Sequence, residues 1–144
     1  MKTNDFQALL LRAAVVAMAA DGEIAETEKA ELARLTGSTA YFLGFDHAHA
    51  LPGLLADPTT AGPAAPAALA QAIAAGALNL RQEEALLDVL LRIIDADGVV
   101  QPAERALLRT LRPALLLPDA ALLGLFPRLL RYLLPGTERK FADR

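Results

Sequence analysis

Four carboxylates are spaced so that they could either gather a cation or cap a helix. Asp21 and Glu28 occur in Ala20-Asp21-Gly22-Glu23-Ile24 followed by Glu28, and Asp97 and Glu104 repeat the spacing in Ala96-Asp97-Gly98-Val99-Val100 followed by Glu104, 76 positions later. Against an EF-hand calcium loop, both stretches match the second half: acid at position 5, Gly at 6, an aliphatic residue at 8 and Glu at 12. The first half is missing, because positions 1 and 3 are Ala17 and Ala19 in one loop and Ile93 and Asp95 in the other. One Asp, one Glu and a backbone carbonyl give about four oxygens where calcium takes six to eight. A single loop is thus expected to bind calcium no better than about 10⁻⁴ to 10⁻³ M, and tight binding requires acids from elsewhere. Asp88 is one such acid, nine residues before Asp97, and reaches the loop only if its helix bends or another segment intervenes.

The same residues also serve as helix punctuation. Asp-Gly stops a helix, and a Glu at the third helical position reaches back to the N–H of the capping residue, here Ala25 or Gln101. A first-turn carboxylate is favoured by the helix dipole in any case. Structure therefore competes with metal as the explanation, and duplication does not decide between them, since a duplicated cap would also persist.

Two helix-loop-helix units must position these loops. At the same offset Leu10, Leu11, Lys29, Ala30, Leu32 and Leu35 fall on Leu86, Leu87, Arg105, Ala106, Leu108 and Leu111. The units are placed at about residues 5–36 and 81–112, inside one domain covering 1–134. Apolar residues at helical spacing predict a first helix over 4–20 with one buried stripe, and a second from 26 to about 35, with Gly37 as its stop. Residues 38–56 read as a short apolar helical segment broken near Pro52-Gly53, and 57–66 as a connector. Pro66 opens an Ala-rich helix ending near Gly76, and Asn79 with Gln82 forms a capping box for a central helix ending at Asp97-Gly98. Pro102 begins the next helix, and a last one is expected over 118–134, with Pro127 kinking it. The tail, 135–144, reads as loose.

Composition narrows the class. The chain is 54% hydrophobic, mostly Ala and Leu with few β-branched or aromatic residues, which predicts an all-α fold: a compact helical bundle of about six to seven helices with an internal duplication. It has no Cys, which removes disulfides and thiolate zinc sites and fits a reducing, cytoplasmic setting. A net charge of -3 argues against nucleic acid as a partner. Lys2 ahead of an apolar stretch imitates a leader peptide, but Asp5 and Arg12 interrupt it and the stretch aligns with the second unit, so it is assigned to the fold.

The remaining polar clusters carry less. His47 and His49 point apart on a helix, leaving Asp46 with His49 as the pair that could share a metal. Glu26-Glu28-Glu31 and Glu83-Glu84-Asp88 have no nucleophile or His partner, so they read as solvated helix faces rather than general acid-base pairs. Arg105, Arg109, Arg112, Arg128 and Arg131 read as a polar face, with at most a weak peripheral contact to an anionic membrane. The apolar excess points to self-association or a protein partner.

An Ala-rich helix, the motif A-D-G-x-[IV]-x-x-x-E, and a following helix with K/R and Leu, repeated after Leu80-Arg81-Gln82-Glu83-Glu84-Ala85-Leu86-Leu87-Asp88, resemble the TerB-like domain family over residues 5 to 134. That family includes the tellurite-resistance protein TerB and the N-terminal region of the membrane-anchored co-chaperone DjlA. The resemblance implies an all-helical bacterial domain, linked to chemical stress or to membrane-proximal assemblies, with acids suspected of holding a divalent cation. Calcium or magnesium is favoured over zinc, and Asp21, Glu28, Asp97 and Glu104 are the matching positions, with Asp88 the weaker candidate. The chain departs from the pattern in its apolar 38–56 segment and lacks a His-Pro-Asp tripeptide, which argues against a DjlA-type chaperone. A non-enzymatic module is the leading expectation. A metal-dependent enzyme using the same carboxylates and a metal-free interaction domain are the alternatives.

Overall fold

In the computed structural model, which describes residues 1–98 and 101–118, the chain is an all-α helical bundle. Seven α-helices and no strand occur among the described residues: α1 (Thr3–Met18), α2 (Glu26–Ser38), α3 (His47–Ala56), α4 (Pro58–Ala61), α5 (Ala65–Ala75), α6 (Leu80–Ile94) and α7 (Pro102–Leu111). Single 3-10 turns follow α2 at Ala40–Phe42, α6 at Asp95–Asp97 and α7 at Arg112–Ala114. The expected last helix, the tail, and Arg128 and Arg131 lie outside the described residues. None of the described helices is long and apolar enough to cross a membrane.

The duplication is visible in the element bounds. Shifted by 76, α1 and α2 fall on α6 and on α7 with its trailing 3-10 turn. Both loops turn at a glycine in the left-handed region, Gly22 at φ 86° and Gly98 at φ 77°, where a Cβ would be strained. Buried positions also match: Leu10 and Leu86, Leu11 and Leu87, Ala14 and Leu90, Ala17 and Ile93, Leu32 and Leu108, Leu35 and Leu111.

The core is built on α1 and α6, the most extensively packed pair of helices. Where α6 is bulky, at Val89, Leu90 and Ile93, the equivalent positions of α1 are Ala13, Ala14 and Ala17, all buried. Small residues on one copy and large ones on the other let the two repeats pack closely. This corrects the single stripe expected for α1, which is buried nearly all round from Leu9 to Met18 because α3, α4 and α5 close over its other faces.

Three further expectations are corrected. The helix break near Pro52-Gly53 is absent: α3 runs through Pro52. The lost N–H would have met the carbonyl of Ala48, an exposed residue. Gly37 does not stop α2, which continues to Ser38. The 57–66 connector is folded, since Asp57 accepts hydrogen bonds from the backbone N–H and the hydroxyl of Thr59 at 2.9 Å each, and Pro58 sits at the first position of α4. Those bonds hold the Asp57 carboxyl below the usual carboxylate range. Thr60, 1% exposed, donates its hydroxyl to the Leu54 carbonyl and so ties α4 to α3.

Candidate functional site

Glu28 and Glu104 are each in the first turn of a helix and turn back onto its cap. Glu28 Oε1 accepts from the Ala25 N–H at 3.1 Å, and Glu104 Oε1 from the Gln101 N–H at 2.9 Å. Neither Ala25 nor Gln101 adds a side-chain bond of its own, so each is the Glu half of a capping box. Both glutamates are buried, at 5% and 3% exposed. For Glu28 this corrects the solvated face expected of the 26–31 cluster: Leu32 and Leu35 turn the same side of α2 into the core, and Glu28 sits on it one turn earlier.

Asp21 is exposed, and its Oδ1 accepts from the Glu23 N–H at 3.0 Å, an Asx turn around Gly22. Asp97 ends the 3-10 turn, but its side chain lies outside the described residues. Asp88 is bound elsewhere, accepting from the Tyr41 hydroxyl at 2.5 Å and from Arg92 Nε at 2.9 Å. The Tyr41 hydroxyl is pushed up to about 12, first by burial and then by its bond and charge interaction with Asp88. That clip joins the segment after α2 to α6, so Asp88 links the two repeats.

These bonds bear on whether a divalent cation fits. In the first loop Asp21 and Glu28 each have an oxygen engaged by the backbone, and Glu26 is paired with Lys29, which leaves too few oxygens together for the six to eight calcium takes. No group of three or more Asp, Glu, His or Cys side chains able to hold a metal occurs among the described residues. The first loop alone therefore does not fit a tight site, and the second turns on the Asp97 side chain. Asp46 is the N-cap of α3, accepting from the His49 N–H at 3.1 Å.

A substitution separates the two uses of Glu28. Glu28→Gln keeps an oxygen for the Ala25 N–H and is expected to cost under about 0.5 kcal/mol, while Glu28→Ala costs about 1 kcal/mol. Thermal melts with and without millimolar calcium or magnesium check this. If the cation governs the loop, the wild-type melting temperature rises with metal and Glu28→Gln removes the rise.

Two buried polar residues escaped the sequence reading. Gln7, 6% exposed, donates Nε2 to the carbonyls of Tyr41 and Leu43 at 3.1 and 2.8 Å. Its counterpart Glu83, 2% exposed, accepts from the Leu116 N–H at 2.8 and 3.0 Å and from the Leu117 N–H at 2.9 Å. Each holds the segment that follows its own unit's second helix. Glu83 was expected on a solvated face, and its burial under residues 115–117 corrects that. The signal was present, since the offset that aligns Leu10 with Leu86 aligns Gln7 with Glu83.

Among the described residues an apolar groove of about 560 Å³ lies between α2 and α3, floored by Leu11 and Met18 of α1. Lys29, Leu32, Ala33 and Thr36 form one wall at helical spacing, and Ala48, Leu51 and Leu55 line the other. Among the described residues no Asp or Glu lines it, and Lys29 and His47 are its titratable groups. The walls make little direct contact with each other. Although α3 is strongly apolar, none of its residues is buried.

No protein-family model matches the chain, and neither the curated proteins nor the solved structures contain a significant match.

Proposed function

We propose that this chain is a non-enzymatic, TerB-like helical module that acts through protein contacts, using the groove between α2 and α3. The observation that carries this is α3 itself, an apolar helix whose Ala50, Leu51 and Leu54 are only partly buried against the core and which lines an apolar groove that no other described residue fills. The part of its apolar surface left in water, Leu55 above all, contributes no burial energy to the fold. A partner would supply it. The TerB-like family is supported by the repeated A-D-G-x-[IV]-x-x-x-E motif and its matching left-handed glycines. A bacterial cytoplasmic setting and a link to chemical stress belong to the same reading.

An enzyme that uses the DG-loop acids is supported less well. Metal-assisted chemistry needs carboxylates beside the space a substrate enters, and among the described residues no Asp or Glu lines the groove. The capping bonds of Glu28 and Glu104 account for those residues within a module that binds no metal, and a cation at the loops would add rigidity to it.

The test replaces Leu55, 40% exposed, with Arg. An exposed position with no buried neighbour on its helix is expected to cost the fold no more than about 0.5 kcal/mol in urea unfolding. The same variant is expected to lose most of the binding of an apolar fluorescent dye such as anilinonaphthalene sulfonate to the native protein. A wild-type protein that binds no dye, or a variant that unfolds several degrees earlier, would mean that α3 serves the fold instead of a partner.

A further inference from the structure

We draw no further inference here: the strongest candidate, the identity of what docks in the apolar groove between α2 and α3, carries none, since its Lys29 is already paired with Glu26 and nothing in the structure shows what covers it.

Discussion

Replacing Glu83 with Ala is expected to lower the stability by about 3 kcal/mol, which for a domain of this size lowers the melting temperature by roughly 10 °C. The carboxylate is 2% exposed and receives the N–H groups of Leu116 and Leu117. Hydrogen bonds to a charged acceptor are each worth about 1.5 to 3 kcal/mol. Alanine leaves the Leu117 N–H, on a residue 2% exposed, with no replacement from water, whereas Leu116 is 75% exposed and can be rehydrated. Glu83→Gln keeps one acceptor and is expected to lose about half as much. Gln7→Ala removes the equivalent tie in the first unit, but its bonds join neutral groups, so it is expected to cost about 1 to 2 kcal/mol. Urea unfolding of the four proteins gives the order. A Glu83→Ala loss below about 1 kcal/mol, or one no greater than that of Gln7→Ala, would show that residues 115–117 are held by their apolar contacts instead.

Leu90→Ala is expected to be at least as damaging, at about 3 to 4 kcal/mol. Leu90 is 0% exposed on α6, and the facing repeat helix α1 offers Ala13, Ala14 and Ala17 at its own equivalent positions. Alanine has no longer rotamer with which to fill a void, so the cavity stays open and the cost sits toward the upper part of the range for Leu to Ala. Ala14→Leu, the converse change, overpacks the same pair of helices and is expected to cost about 1 to 3 kcal/mol. Leu55→Ala on α3 is the control, within about 0.5 kcal/mol, because that side chain is 40% exposed. Should Leu90→Ala cost no more than Leu55→Ala in denaturant titration, the α1–α6 contact would not be the centre of the core.

Much of this was legible in the chain. Helical spacing and caps placed α6 behind Asn79 and α7 behind Pro102, and the Asn79–Gln82 box forms in both directions, at 2.8 and 3.0 Å. The 76-residue offset carried the two loops, their left-handed glycines and the turned-back glutamates. Errors came where solvent exposure decided the outcome. Pro52 is tolerated because α3 lies on the surface, and Glu28 and Glu83 were placed in water although their helices turn them inward.

By itself the sequence determined what depends on neighbours within a turn or two: helix starts and stops, the Asp-Gly turns, the reach of Glu28 and Glu104 to their own caps, and the repeat. These follow from backbone geometry and hydrogen bonds three or four residues long. Only the tertiary structure decided which acids are buried, that Asp88 is taken by Tyr41 and Arg92, that Glu83 holds residues 116 and 117, and that α2 and α3 stand apart over α1. Most of those contacts join residues more than 30 positions apart. Whether such residues meet depends on how whole helices pack, and periodicity, which specifies a helix's apolar face, does not specify what lies against it.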